Sequence, residues 1–251
     1  MRIPVFAANW KMHKTVHESV AFVREMTNIA KSNSSTEVVV APPFTALAAS
    51  ADAARNTPVC IAAQDVYFER QGAFTGEVSA EMIRDTGATH VIVGHSERRR
   101  LFGDTDEWVN RKARAAVAAE LTPIICIGET LDERESGATL TVLDRQIRAA
   151  LDGLTGEQIG DALIAYEPVW AIGTGKNATP AEADEAHRHI RSRVRQWFGG
   201  TAAEACRILY GGSVKPENIR DLIGLPDVDG ALVGGASLEV RSFSEIITRA
   251  K

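Results

Sequence analysis

The chain has 251 residues, of which 45% are hydrophobic and 24% charged, a composition typical of a globular enzyme with a sizeable core. Its net charge of -5 argues against a surface for nucleic acid or anionic membranes, although a small anionic substrate needs only a local positive pocket. We therefore expect neither nucleic acid nor membrane as a partner.

The three cysteines, Cys60, Cys126 and Cys206, are dispersed along the chain. Their odd number and spacing predict neither a disulfide framework nor a metal site, and favour small core residues in a reducing compartment. The amino-terminal apolar run is too short for a signal peptide, and no stretch reaches the roughly 18 apolar residues of a membrane span. We expect a cytoplasmic protein.

Eight short runs are apolar at nearly every residue, as strands buried on both faces should be. The predicted strands are Val5–Ala8, Val38–Ala41, Val59–Ala63, His90–Val93, Pro123–Ile127, Leu163–Tyr166, Arg207–Tyr210 and Ala231–Val233.

The segments between these runs have helical periodicity. After the first strand, apolar residues recur at spacings of three and four: Val16, Val20, Val23, Met26 and Ala30. After the sixth strand, Thr179 supplies an N-cap, Pro180 the first helical position and Glu182 the partner of a capping box. The apolar stripe of that helix then comprises Ala183, Ala186, Ile190, Val194 and Trp197.

Eight strand–helix alternations without a linker predict an α/β fold with one domain over residues 1–251. An open doubly wound sheet would carry a glycine-rich turn after its first strand, whereas residues 9–15 contain no glycine. The glycines concentrate after the last three strands, where a closed barrel binds phosphate. The prediction is a single (β/α)8 barrel.

The sixth strand ends in one carboxylate, Glu167, followed by Pro168 and a loop with Gly173 and Gly175. A carboxylate at the carboxyl end of a buried strand can act as a base, and the glycines allow the following loop to move. The same sequence also fits an ordinary strand-to-helix connection with a surface glutamate. The other strand ends decide between these interpretations.

In a barrel, side chains at the carboxyl ends of different strands meet. Lys11 alone could be a solvated cation, His95 a structural histidine and the pair Gly234–Gly235 a tight turn. Together they divide the work of a proton transfer: Glu167 can remove a proton beside a carbonyl, donors such as Lys11 stabilise the resulting enediolate, and glycine N–H groups bind phosphate. The implied substrate is a small phosphorylated carbonyl compound, and the reaction needs no metal or redox cofactor.

Four motifs closely resemble the signatures of the triosephosphate isomerase family: Asn9–Lys11, Val93–Arg99, Tyr166–Gly175 and Tyr210–Val214. The resemblance extends from Ala7 almost to the carboxyl terminus. It implies interconversion of dihydroxyacetone phosphate and D-glyceraldehyde 3-phosphate without a cofactor.

The resemblance also implies a role for individual residues. Glu167 would shuttle the proton, His95 would act as electrophile, Lys11 would supply positive charge, and Asn9 and Glu97 would assist. The phosphate-binding residues would be Gly173, Ser213, Gly234 and Gly235. The lid would comprise Pro168, Val169, Trp170, Ala171, Ile172, Gly173, Thr174, Gly175 and Lys176.

The long connection from Gln64 to Gly76 resembles the family's interdigitating loop, in which Thr75 would reach a second copy of the chain; the resemblance thus implies a homodimer. Two other functions stay open at this point. One is an isomerase of a four-carbon sugar phosphate, since one extra carbon is discriminated by only about 1 to 3 kcal/mol in an apolar pocket. The other is a catalytically silent phosphate-binding barrel, against which the intact set Lys11, His95 and Glu167 counts.

Overall fold

The eight predicted strands form one closed barrel of parallel strands in chain order, in a computed structural model that describes residues 2–172 and 178–250. Each strand begins and ends within one residue of its predicted bounds, so the closed-barrel prediction is confirmed and the open sheet is wrong. The strands are β1 Val5–Asn9, β2 Glu37–Ala41, β3 Val59–Ala63, β4 His90–Val93, β5 Thr122–Ile127, β6 Leu163–Tyr166, β7 Arg207–Tyr210 and β8 Gly230–Val233.

Twelve α-helices lie within the described residues and cover the outside of the barrel. They are α1 Val16–Ser32, α2 Phe44–Ala54, α3 Ala80–Asp85, α4 Ser96–Phe102, α5 Asp106–Ala118, α6 Leu131–Glu135, α7 Thr139–Leu151, α8 Gly156–Asp161, α9 Pro180–Phe198, α10 Gly200–Ala205, α11 Ile219–Ile223 and α12 Val240–Arg249. The predicted capping box of α9 is present, with Thr179 as N-cap and Glu182 as its partner. No helix in the described part of the chain is long and apolar enough to cross a membrane.

The barrel interior is filled by alternate residues of the strands, because successive side chains of a strand point to opposite faces. On β1, Val5 and Ala7 belong to the interior cluster, whereas Phe6 and Ala8 pack against the helices. The interior cluster contains Val5, Ala7, Val39, Ala41, Ala62, Ile92, Ile124, Cys126, Leu163, Ala165, Leu209 and Leu232. This parity determines which side chains beyond the strand ends face inward.

The buried face of α1 differs in part from its predicted stripe. Val16 is exposed and Val20 is half-buried, whereas Ser19 and Thr27 are buried. Each of these hydroxyls donates to the carbonyl four residues earlier, at 2.8 and 3.0 Å, so small polar residues are buried without an unpaired donor. The buried face is therefore rotated away from Val16.

The junction of β7 and β8 combines a short backbone ladder with a side chain. The register aligns one residue pair of these strands, Tyr210 with Ala231. Asp229, just before β8, extends the pairing: its backbone N–H donates to the carbonyl of Ile208 at 2.8 Å, and its Oδ2 accepts from the N–H of Ile208 at 2.8 Å. Arg191 of α9 also donates to Oδ2, at 2.5 Å.

Candidate active site

Glu167 follows β6 at the next inward position after Leu163 and Ala165, so its side chain enters the barrel mouth. Two glycines that directly follow the neighbouring strands β5 and β7 leave room for it. A Cβ on Gly211 would lie 2.9 Å from Cγ of Glu167, and a Cβ on Gly128 would lie 1.7 Å from the carbonyl oxygen of Glu167. Glycine is therefore required at both positions to keep Glu167 where it is.

The Glu167 carboxylate is 2% exposed and has a donor at each oxygen. The backbone N–H of Ser96 donates to Oε2 at 2.8 Å, and Nε2 of His95 lies 3.0 Å from Oε1. Both partners come from the start of α4, directly after β4. The β4 and β6 ends thus meet as predicted.

His95 is the N-cap of α4, and its Nδ1 accepts from the backbone N–H of Glu97 at 3.2 Å. Since Nδ1 accepts, the proton of the neutral ring lies on Nε2, from which it is donated to Glu167. Burial lowers the pKa of His95, but the charge and hydrogen bond of Glu167 raise it by more, so the pKa lies above its ordinary value. His95 is thus placed to give a proton to a neighbouring oxygen.

The carboxyl of Glu167 is ionised at neutral pH. Burial raises the pKa of Glu167, but the charge and hydrogen bond of His95, the N–H of Ser96 and the charge of Lys11 lower it by more. The net pKa of Glu167 is below its ordinary value. A buried carboxylate that is already deprotonated is suited to accept a proton from carbon.

Lys11 has a strained backbone. Its φ of 52° lies in the left-handed region, which costs a residue with a side chain roughly 1 to 2 kcal/mol. Two side chains hold this conformation: Oδ1 of Asn9 accepts from the N–H of Lys11 at 3.0 Å, and the amide of Gln64 donates to the carbonyl of Lys11 at 2.9 Å. Gln64 also donates to the carbonyl of Ala41 at 2.8 Å, which fixes it to β2.

The lysine side chain is oriented by a carboxylate. Nζ of Lys11 lies 2.6 Å from Oε1 of Glu97, and both groups are partly exposed to the barrel mouth. A Cβ on Gly234 would lie 3.7 Å from Cε of Lys11, so the loop after β8 adjoins the lysine. The ammonium group is therefore held between the β4 and β8 ends.

These groups line one cavity of about 590 Å³ at the carboxyl ends of the strands. Nine of the predicted site residues line it: Asn9, Lys11, His95, Glu97, Glu167, Ile172, Ser213, Gly234 and Gly235. It brings together a buried carboxylate, an ammonium group, an imidazole and glycine backbone, a combination suited to proton transfer on a phosphorylated compound. Among the described residues, no cluster of three possible metal-ligand side chains lies in this cavity.

The first part of the predicted lid is held by hydrogen bonds to a buried carboxylate. Val169–Ala171 form a 3₁₀ turn directly after Pro168. The buried carboxylate of Glu129 accepts from Nε1 of Trp170 at 2.8 Å and from the hydroxyl of Tyr166 at 3.1 Å. One carboxylate therefore ties the lid's start to the end of β6.

The structure does not test two groups of predicted residues. The lid residues Gly173, Thr174, Gly175 and Lys176 lie outside the described residues, so the predicted phosphate contact of Gly173 does too. Thr75 is exposed at its loop. The dimer contact predicted for it stays a prediction.

The sequence interpretation missed Gln64 and Glu129, and noted Gly211 only as part of the glycine-rich turn after the seventh strand. Parity on the barrel strands would have found Gln64, which continues the inward series Cys60 and Ala62 of β3, and would have placed Gly211 at the barrel mouth, since it continues Leu209 of β7. The burial of Glu129 was not predicted, since its partners Tyr166 and Trp170 come from a different strand end.

Comparison with known proteins adds three findings. Residues 4–250 match the family model described as triosephosphate isomerase. The chain is 56% identical over 247 residues to a protein of Pelobacter propionicus named triosephosphate isomerase, and 54% identical to one of Citrifermentans bemidjiense, with 98% of each chain covered. It is also similar to the crystal structure of triosephosphate isomerase from Bartonella henselae, with a TM-score of 0.89, 39% identity and 98% of both chains covered.

Proposed function

This chain belongs to the triosephosphate isomerase family, and we propose that it interconverts dihydroxyacetone phosphate and D-glyceraldehyde 3-phosphate through an enediolate, with Glu167 as the base. The activity is that of an aldose–ketose isomerase and belongs to glycolysis and gluconeogenesis. The observation that carries the mechanism is the contact of the ionised Glu167 carboxylate with His95, in the cavity that Lys11 also lines.

In this mechanism Glu167 takes a proton from the carbon beside the carbonyl and returns it to the neighbouring carbon. Negative charge then develops on the substrate oxygens. Lys11 stabilises that charge, and Nε2–H of His95 donates to the oxygens once the substrate lies between it and Glu167. Asn9 assists by holding the backbone of Lys11, and Glu97 assists by orienting its ammonium group.

The phosphate would be bound by backbone N–H groups and one hydroxyl. Ser213, Gly234 and Gly235 lie in the same cavity as the base, on the loops after β7 and β8. Small residues allow a close approach of the backbone to phosphate oxygens. The same role is proposed for Gly173 from the sequence alone.

A coupled assay with glyceraldehyde 3-phosphate tests the activity, and Glu167→Gln tests the base. The variant should lose about 10²- to 10⁴-fold in kcat, the usual contribution of a positioned base. Exchange of the transferable substrate hydrogen with solvent should be lost to the same extent, while binding of a phosphate ligand persists. The control is Glu185→Gln on the exposed face of α9, which should behave as wild type. Undiminished exchange in Glu167→Gln would remove Glu167 from the role of base.

The two other functions are not favoured by the comparisons, since the relatives named above carry the isomerase name. Relative kcat/KM on three- and four-carbon sugar phosphates would still test the substrate preference. We expect the three-carbon substrate to be preferred. A higher kcat/KM for an erythrulose phosphate would overturn the assignment, and absence of turnover with both would favour a silent phosphate-binding barrel.

We propose that residues 168–176 form a lid that keeps water from the enediolate, because an enediolate with an adjacent phosphate can eliminate it. The anchor at Glu129 supports a hinge directly after Glu167. Deleting residues 172–175 should increase phosphate elimination relative to isomerisation. Unchanged partitioning between the two products would argue against a protective lid.

We also propose a homodimer in which Thr75 reaches the second copy. The Gln64–Gly76 loop carries an exposed aromatic residue, Phe74, and α4 ends in the exposed pair Leu101 and Phe102. Exposed apolar groups of this kind are typical of a protein interface. Sedimentation should give a dimer, and Thr75→Arg should shift it toward monomer with loss of activity. A fully active monomer on dilution would contradict the proposal.

We further propose a single catalytic domain over residues 1–251, a cytoplasmic location and catalysis without a cofactor. The closed barrel supports the first, because its eight strands span almost the whole chain. The free cysteines support a reducing compartment.

A further inference from the structure

A second cluster of polar side chains lies at the amino ends of β2, β3 and β4, opposite the candidate active site. Glu37, Cys60 and His90 each precede an interior residue of the same strand by two positions, so all three face the barrel interior. A carboxylate oxygen, Sγ and a ring nitrogen of these residues lie within 4.8 Å of one another. Three different ligand types thus converge from three neighbouring strands.

Two of the three side chains are oriented through the atom that does not face the cluster. Oε1 of Glu37 lies 3.1 Å from Nε2 of His90, while Oε2 of Glu37 accepts from Arg207 of β7. Nδ1 of His90 lies 2.8 Å from Oγ1 of Thr89. Metal-binding carboxylates and histidines are commonly held in this way by a partner on their other atom. Oε1 of Glu37 and Nε2 of His90 face each other across the cluster, so a cation bound there would take the place of the proton between them.

The spacing fits a tetrahedral ion. Ligand atoms about 2.0 to 2.1 Å from a zinc ion stand about 3.3 Å apart at tetrahedral angles. The observed separation of 3.1 Å between Oε1 of Glu37 and Nε2 of His90 is close to this value. The Cys60 sulfur can complete the set with a small movement, because all three atoms are already within 4.8 Å.

We propose that Glu37, Cys60 and His90 bind one Zn²⁺ ion per chain at the amino end of the barrel, with water as the fourth ligand. A thiolate, an imidazole and a carboxylate together select zinc over magnesium or calcium, which take oxygen ligands. The ion replaces the thiol proton of Cys60, which is released. The proton on Nε2 of His90 moves to Nδ1, from which it is donated to Thr89.

The cluster has a route to solvent. Cys60 is half-buried and the side chain of Glu37 is partly exposed, whereas Cys126 and Cys206 are buried. The ion and its water ligand would enter past Glu37 and Cys60 at this rim of the barrel. Arg207 stays on Oε2 of Glu37, so the carboxylate is shared between the guanidinium and the metal. This shared charge makes the site weaker than one with an unpaired carboxylate.

Zinc binding to the full-length chain, measured by competition with a chromophoric chelator, tests the proposal. Wild type should bind one Zn²⁺ per chain, and Cys60→Ala should bind it at least tenfold more weakly. The matched control is Cys206→Ala, which removes a buried cysteine elsewhere and should bind zinc as wild type does. Co²⁺ should give thiolate-to-metal charge-transfer absorption in wild type and the control. Equal zinc affinity of wild type and Cys60→Ala would overturn the proposal.

A second measurement needs no variant. Alkylation of Cys60 in the native wild-type protein, followed by peptide mass spectrometry, should slow at least tenfold when Zn²⁺ is added. Mg²⁺ at the same concentration should leave the rate unchanged, because it does not bind thiolates. An alkylation rate unaffected by Zn²⁺ would contradict metal binding at Cys60 whatever the folding of the variants.

Discussion

The two ends of the barrel both carry charged side chains among apolar strands, but the charges are held differently. At the amino end, Glu37 is paired with His90 and Arg207, residues that begin strands. At the carboxyl end, Lys11 sits on strained backbone and Glu167 occupies space that glycines leave free. Charged groups are paired at both ends, but the pairs Lys11–Glu97 and His95–Glu167 at the carboxyl end also line a cavity. Substitutions at the two ends should therefore affect different properties.

After the loss predicted above for Glu167→Gln, the largest effect is expected for Lys11→Met at the carboxyl end. Removing one preorganised group that stabilises charge in the transition state should lower kcat/KM by about 10²- to 10³-fold. The free energy of unfolding should change by no more than about 1 kcal/mol, because the pair of Lys11 with Glu97 is partly exposed. Steady-state kinetics and urea denaturation measure the two quantities.

The control for this variant is Lys14→Met, which removes a cation near Trp10 that does not line the cavity. It should keep wild-type kcat/KM. An equal loss of activity in both variants would mean that Lys11 acts through general charge rather than through its place in the site.

Glu37→Gln should show the opposite pattern. The pairs of Glu37 with His90 and Arg207 are partly buried, and a hydrogen bond to a charged group contributes about 1.5 to 3 kcal/mol, so the unfolding midpoint in urea should fall clearly. The activity of the folded variant should remain that of wild type, since Glu37 lies at the far end of the barrel. Full stability with reduced kcat would reverse the comparison between the two ends.

The pH dependence of stability sharpens this prediction. Burial raises the pKa of Glu37, but His90 and Arg207 lower it by more, to about 2. Because the folded-state pKa of Glu37 is below its ordinary value, ionised Glu37 stabilises the folded state by roughly 3 kcal/mol above about pH 4.5. This contribution to the free energy of unfolding is lost as the pH falls toward 2. Acid titration of the unfolding free energy should therefore be steeper in wild type than in Glu37→Gln between these pH values.

A smaller effect is expected for Gln64→Leu. The variant loses two hydrogen bonds that hold the backbone of Lys11 and the end of β2, each contributing about 1 kcal/mol. We expect kcat/KM to fall about tenfold, as the lysine leaves its strained conformation more often. Unchanged kinetics would show that Asn9 alone is enough to hold Lys11.

Much of the barrel and of its catalytic end could be predicted because strands buried on both faces are apolar at each residue. The apolar runs predicted the strand bounds. Lys11, His95 and Glu167 were predicted to lie near one another because each follows the carboxyl end of a strand. The left-handed φ of Lys11 could not be predicted, since it depends on Gln64 from a different strand end. The exposure of Val16 could not be predicted either. Ser19 and Thr27 are buried in its place, because their hydroxyl groups donate to backbone carbonyls of the same helix.

The amino-end cluster shows a different limit of the sequence. No other possible metal ligand lies close to Cys60 in the sequence. Glu37 and His90 nevertheless lie beside it in the fold, because parallel strands all begin at the same rim of the barrel. The rule that brings strand ends together at the catalytic rim applies equally to strand beginnings. Listing inward-facing polar residues at both ends of each predicted strand would have found the cluster.

The junction of β7 and β8 has the shortest aligned register in the described barrel, so we expect the strands to separate there first. A ladder aligned at one residue pair and completed by Asp229 can separate without breaking the longer ladders of the other strands. The loops carrying Ser213 and Gly234 follow these two strands, so a phosphate bound to both loops would hold β7 and β8 together. Amide hydrogen exchange in β7 and β8 should then slow when inorganic phosphate binds, and ligand binding would be coupled to the integrity of the barrel itself.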